Sequence, residues 1–343
     1  MKIFQNYLAH EFAEDYTEGR ITRRQALKLI ISVTGSALVA NTILAACAPP
    51  PEATLEPTAL PANTLTPEPT AMVEATATEA MPEPTVTEAM AEATVAPMPG
   101  PNAHGTVVPE DPAVQAGEIE FVGSDGKAVK GYLSQPADTS TGPFAVVLVC
   151  HENRGLTPHI QDVTRRLAKA GYIALAVDLL SRSGGTAALS SDEIPGILGN
   201  TQPEQFVADF RSGWESLSSN PAADIERVGM TGFCFGGGVT WRVATKMPEL
   251  RAAMPFYGPH PPEEDIPGIQ APVLAIYGAN DTRINAGIPA MEAAMKANGK
   301  IYETMIYEGA DHAFFNDTST RYNPTAAADA WSKMLNWFGT HLG

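Results

Sequence analysis

At 343 residues the chain is long enough for two ordinary domains, but its composition supports one folded domain. The formal net charge of −17 is spread unevenly: residues 48–110 carry nine acids and no Lys or Arg, while residues 111–343 carry 26 acids against 17 bases. An acidic balance of this kind argues against nucleic acid as a partner, because phosphate binding needs a basic patch, and otherwise bears on solubility.

The first 47 residues read as an address. Thr22-Arg23-Arg24-Gln25-Ala26-Leu27-Lys28 is a twin-arginine pattern, followed by a modestly apolar run over 29–46. That run holds Ser32, Thr34, Gly35, Ser36, Asn41 and Thr42, which makes it a weak transmembrane helix. It ends in Leu44-Ala45-Ala46-Cys47, which resembles a bacterial lipobox. The combination resembles a twin-arginine-exported lipoprotein signal, cut before Cys47, whose sulfur would carry the lipid. An uncleaved anchor helix is the alternative, and both readings place the remaining chain outside the cytoplasmic membrane. The small residues abutting Cys47 and the tether that follows favour cleavage.

The expected boundaries are therefore a signal peptide over 1–46, a tether over 47–112 and a catalytic domain over 113–343. Pro, Thr, Ala and Glu dominate the tether, which holds too little apolar surface to offset its chain entropy. With Cys47 assigned to lipid, Cys150 and Cys234 remain. Two cysteines in a domain of this size are no disulfide framework, and both are expected as thiols.

Strand and helix patterns alternate through the domain. Residues 118–122 and 129–134 predict an opening hairpin. The continuous apolar run 144–150 predicts a strand buried on both faces. An amphipathic helix follows over 158–170, then a strand over 172–177 and a helix over 203–219. Strands are expected at 227–231, 252–257, 273–277 and 301–307, with helices at 286–298 and 324–341. The pattern is an α/β fold with a doubly wound, mostly parallel sheet, whose ligands bind at the carboxyl ends of the strands.

Gly232-Phe233-Cys234-Phe235-Gly236-Gly237 sits where a buried strand gives way to a helix. This is a nucleophile elbow, the strained strand-to-helix turn of α/β-hydrolases, with cysteine where serine is usual. A structural cysteine in a glycine-rich turn is the alternative. The nucleophile, acid, histidine order of that fold is met by Cys234, Asp281 after the strand 273–277, and His312 after the strand 301–307. His312 would take the thiol proton, and Asp281 would fix the imidazole tautomer. Asp311 is the rival acid; adjacent residues on a tight turn diverge, which favours Asp281. His151-Glu152-Asn153-Arg154-Gly155 follows the strand 144–150, in the loop that supplies an oxyanion-hole donor in this fold. The backbone N–H groups of Asn153 and Phe235 are the expected oxyanion pair. Glu152 would sit over the nucleophile, unless it is a solvated loop acid. His151 and His260 read as structural or rim residues.

These motifs, Cys234 in Gly-Phe-Cys-Phe-Gly-Gly, Glu152 in His-Glu-Asn-Arg-Gly, Asp281 in Gly-Ala-Asn-Asp and His312 in Asp-His-Ala-Phe-Phe, resemble the dienelactone hydrolase family over about residues 115–343. The resemblance implies hydrolysis of an ester or lactone through a thioester acyl-enzyme, with no cofactor and no metal. It implies that Glu152 pairs with Cys234 at rest until substrate frees the thiolate. It also implies arginines that hold a substrate carboxylate. Arg182, in Asp178-Leu179-Leu180-Ser181-Arg182, is the candidate for the first, and the position of the second is Asn316, with Arg321 a possible substitute. The expected partner is a small ester or lactone, with the membrane met only through the lipid anchor. A non-enzymatic ligand-binding lipoprotein on the same scaffold is the alternative, and a thiol redox sensor is a third reading that lacks a placed resolving cysteine.

Overall fold

A computed structural model describes residues 2–47 and 105–343, and all of these belong to one compact unit. The expected tether lies outside the described residues for most of its length.

Three helices open the chain: α1 (Ile3–Thr17), α2 (Arg23–Thr34) and α3 (Ala37–Cys47). Helix α1 buries Phe4, Tyr7, Leu8, Glu11, Phe12 and Asp15, the i, i+3, i+4 spacing of a single helical face. Two of those six are carboxylates, so hydrophobic periodicity alone does not reveal the helix. Helix α2 starts in a capping box, in which the Gln25 N–H donates to Thr22 Oγ1 at 3.3 Å and the Thr22 N–H donates to Gln25 Oε1 at 2.8 Å. It stops at Gly35, whose φ of 71° is left-handed. Arg23 and Arg24 stand exposed on its first turn. Among the described residues no helix is long and apolar enough to cross a membrane.

The remainder runs β1 (Val114–Val122), β2 (Ala128–Pro136), β3 (Phe144–Cys150), α4 (Pro158–Lys169), β4 (Ile173–Val177), α5 (Ile194–Asn200), α6 (Pro203–Ser216), β5 (Ala223–Phe233) and α7 (Phe235–Lys246). It continues through β6 (Ala252–Phe256), β7 (Val273–Gly278), α8 (Thr282–Asn285), α9 (Ile288–Ala297), β8 (Tyr302–Tyr307) and α10 (Pro324–Leu342). The expected helix over 286–298 is α9, and the short α8 precedes it. Helix α5 has no counterpart in the sequence reading, because its seven residues are too few to show a period.

The eight strands form one sheet in the order β1-β2-β4-β3-β5-β6-β7-β8. The hairpin joins antiparallel to β4, and the other pairings are parallel. Register shows how both faces are covered. Leu175, Leu148 and Met230 are partners across β4, β3 and β5 and share one face; Ala174, Val147 and Gly229 share the other. A Cβ on Gly213 of α6 would meet Leu175, and one on Gly232 would meet Thr240 of α7, so α6 and α7 cover the first face. A Cβ on Gly229 would meet Phe338 and Leu342, which puts α10 on the second. The chain winds away from β3 in both directions, to β4 and to β5, so the carboxyl ends of β3 and β5 border the crevice of a topological switch point.

Candidate active site

Cys234 sits at the end of β5 with φ 59° and ψ −121°, a conformation costly for any residue bearing a side chain. The turn closes only because its neighbours lack one. A Cβ on Gly232 would lie 2.3 Å from the Gly236 carbonyl oxygen, and one on Gly237 would lie 2.3 Å from that of Phe256. At Gly236 it would stand 2.5 Å from the carbonyl oxygens of both Cys150 and His151. Helix α7 therefore starts hard against the end of β3, beside the loop bearing Glu152 and Asn153. Phe235 is the first residue of α7, and the opening N–H groups of a helix have no partner within it. Asn153 is buried on the adjoining loop.

His312 follows β8 on the turn begun at Gly309, and its Nδ1 lies 2.5 Å from Asp281 Oδ2. Asp281 caps α8, its Oδ1 accepting the Ile284 N–H at 3.2 Å. Asp311 points elsewhere and accepts from the Asn280 side chain at 2.7 Å. Burial opposes a charged His312, yet Glu11, Asp281 and Cys234 outweigh it and hold the imidazolium well above the ordinary histidine range. Burial likewise opposes ionised Asp281, but the charge and hydrogen bond of His312 keep that carboxyl below its usual range.

A tyrosine without a signal in the sequence touches Cys234. Tyr7 Oη of α1 lies 3.1 Å from Cys234 Sγ and 3.5 Å from His312 Nε2. Glu11, one turn on, places Oε1 3.5 Å from the same nitrogen. Arg283 pairs with Glu11 and, at 2.9 Å, with Glu14, and its guanidinium lies 5.1 Å from the centre of the Tyr7 ring. Cys234 Sγ, a His312 ring nitrogen and a Glu11 oxygen fall within 4.8 Å of one another, the donor types a zinc ion takes, but the Tyr7 hydroxyl already stands among them. A cavity of about 370 Å³ is lined by Tyr7, His10, His260 and Arg283 among others.

Two residues expected from the family resemblance have other partners in the structure. Glu152 is buried, but its hydrogen-bond partner is Asn316, whose Nδ2 donates to Oε2 at 2.6 Å; the side chain on Cys234 Sγ is Tyr7. Arg182 is held by Asp125 at 2.9 Å and by the buried Asp209 at 2.7 Å, which engages three of its five N–H donors. Arg321 does enter the field of the site: burial opposes its charge, but Glu11, Asp15, Cys234 and Glu152 raise its pKa. His151 bridges two backbone groups, Nδ1 to the Glu152 carbonyl at 2.7 Å and Nε2 to the Leu179 N–H at 3.2 Å. Burial depresses His260 to about 4, and its Nε2 bonds Tyr277 at 2.8 Å. Cys150 and Cys234 are both thiols, and burial raises that of Cys150.

A mostly parallel sheet with a cysteine on its strand-to-helix elbow and a His–Asp pair on later strand ends defines an α/β-hydrolase-like protein. Residues 129–342 match the model of the dienelactone hydrolase family, and the chain belongs to that family. It is 34% identical over 263 residues to a candidate carboxymethylenebutenolidase of Escherichia coli strain K12, covering 72% of this chain and 95% of the relative. A similarly named protein of Yersinia pestis is 36% identical over 233 residues, covering 64% and 86%. Among solved structures, a candidate dienelactone hydrolase of Klebsiella pneumoniae subsp. pneumoniae MGH 78578 superposes with a TM-score of 0.61 at 32% identity, covering 66% of this chain and 98% of the other. A dienelactone hydrolase-like promiscuous phosphotriesterase from metagenomic libraries gives 0.58 at 26% identity, covering 67% and 100%.

Proposed function

We propose that the protein hydrolyses a carboxylic ester or lactone through a Cys234 thioester. The observation that carries this reading is the elbow conformation of Cys234 beside the His312–Asp281 pair. His312 Nε2 takes the thiol proton, and the thiolate attacks the substrate carbonyl carbon. The carbonyl oxygen becomes an oxyanion facing the N–H groups of Phe235 and Asn153. Collapse of this intermediate breaks the carbon–oxygen ester bond, and His312 returns the proton to the leaving alcohol. Water, deprotonated by His312, then attacks the thioester carbon, releasing the acid and restoring the thiol. Asp281 holds Nδ1–H throughout, so that Nε2 remains the working nitrogen. The relatives named carboxymethylenebutenolidase support an acidic lactone as the substrate class. The twin arginines and Cys47 support export of the folded protein and lipid anchoring outside the cytoplasmic membrane.

The test is the chain recovered from the membrane fraction of an exporting host, assayed on small aryl esters and acidic lactones. Cys234→Ala is expected to abolish hydrolysis, and a brief quench with substrate is expected to trap an acyl group on the Cys234 peptide. Full activity in Cys234→Ala refutes the reading, and ligand binding without turnover in the parent chain supports a binding protein instead.

A further inference from the structure

Helix α1 covers the chemistry described above. Cys234 and His312 are 4% and 5% exposed, and the side chains over them are Tyr7 and Glu11. The rest of α1 seats this contact. Phe4 packs on Phe206 of α6 and Phe235 of α7, with ring centroids 5.6 and 4.9 Å apart. Arg283 holds Glu11 and Glu14, and Arg321 lies 3.9 Å from Asp15. Burying carboxylates is costly unless they are paired, and here each faces a cation of the catalytic domain. Helix α2 continues the contact: a Cβ on Gly196 or Gly199 of α5 would meet Ser32 or Val33.

We propose that α1 is an intramolecular plug, and that the leader-bearing chain is a latent form of the hydrolase. The occupant of the cleft is the chain's own residues 3–17, recognised by Arg283, Arg321 and His312 on its acidic side and by Phe206 and Phe235 on its apolar side. Arg23 and Arg24 stay exposed while the plug is seated, so an export receptor can read the folded, latent chain. A signal peptidase of the exporting host would hydrolyse the Ala46–Cys47 bond, water leaving a carboxylate on Ala46 and an amine on Cys47. Helix α1 is then held by noncovalent contacts alone and leaves with the leader, opening the cleft. The inference rests on the reading of Cys234 as nucleophile and of residues 1–46 as a leader.

The test uses the full chain in a Cys47→Ser background, with iodoacetamide labelling of Cys234 followed by peptide mass mapping and aryl-ester hydrolysis measured in parallel. Phe4→Asp/Leu8→Asp, which unseats α1 without altering the triad, is expected to speed both by at least tenfold. Glu14→Lys, at the half-buried edge of the contact, is expected to move both in the same direction and serves if the double variant does not fold. A synthetic peptide of residues 2–18 added to either variant is expected to slow labelling again. Equal labelling rates in the parent and a folded variant overturn the plug. Faster labelling with no ester hydrolysis in any chain leaves the plug standing and overturns the hydrolase reading; equal, substantial hydrolysis in all chains does the reverse.

Discussion

The elbow makes a sharp prediction, because the same small substitution should have opposite signs at two glycines. At Gly237 an alanine Cβ would sit 2.3 Å from the Phe256 carbonyl oxygen and 3.0 Å from backbone atoms of Gly258. Carbon and oxygen normally meet at about 3.3 Å even in close contacts, so the start of α7 must retreat by about 1 Å. The obstacle is backbone of β6 and its following turn, which cannot rotate aside. Overpacking of this kind costs about 1–3 kcal/mol, against about 0.5–1 kcal/mol gained from alanine's helix preference. Gly237→Ala should therefore be destabilised by about 1–2 kcal/mol, a fall of roughly 2–8 °C in Tm for a domain of this size. A 1 Å shift of the Phe235 N–H and of Cys234 should also cost about a hundredfold in hydrolysis. At Gly339 of α10 a Cβ meets nothing within 4 Å, so Gly339→Ala should gain about 0.5–1 kcal/mol and leave hydrolysis unchanged. Calorimetry and urea denaturation of the two variants, with ester kinetics, make the comparison. A Gly237→Ala protein that melts and turns over like the parent would refute the steric account of the elbow.

Asp281→Asn should keep the fold but lower kcat by about 10⁴, as loss of the orienting acid does in serine triads; a loss below tenfold would remove Asp281 from that role. Arg182→Met should destabilise the chain by about 1–3 kcal/mol in urea, because the buried Asp209 loses its cation, while KM for acidic esters stays unchanged. A raised KM with unchanged stability would return Arg182 to substrate binding. Burial works against imidazolium at His312, and Glu11 heads the groups that overcome it, so Glu11→Gln should shift its titration to lower pH in an NMR experiment. The stability that a raised histidine contributes is complete below its unfolded value and is lost as pH rises through its folded value. In Glu11→Gln that loss should be complete at lower pH, and an unmoved titration would mean that Glu11 does not act on His312.

The strands of the domain were readable because each parallel strand is a short apolar run that both covering helix layers require, as 144–150 illustrates. The elbow and the His–Asp pair were readable because strand ends and chain order restrict where such residues can stand. Helix α1 was not readable, since Glu11 and Asp15 occupy its buried face and the cations that accept them lie far along the chain, at Arg283, His312 and Arg321. A leader motif also directs attention to transport rather than packing. The ion pairs of Arg182 were hidden for a related reason: the sequence does not show that Asp125 and Asp209 converge on it.

Asn316 connects these observations. A carboxamide there donates to Glu152 at 2.6 Å, while its own oxygen accepts from the Thr318 N–H and hydroxyl at 2.9 and 2.7 Å, so Glu152 is held from the side of the histidine loop. A neutral donor fixes the carboxylate without cancelling its charge, and the cation that shares its field comes from Arg321, five residues further on. Arg321 also faces Cys234, Glu11 and Asp15, so the same guanidinium serves the surroundings of Cys234 and helix α1. Positive charge beside Glu152 and Cys234 thus comes from Arg321 while position 316 is neutral. Arg321 meets α1 at Asp15, and the Glu152 carboxylate is tied to Asn316. The side chain over the Cys234 thiol is Tyr7, which, on the plug proposal, a cut in the chain removes.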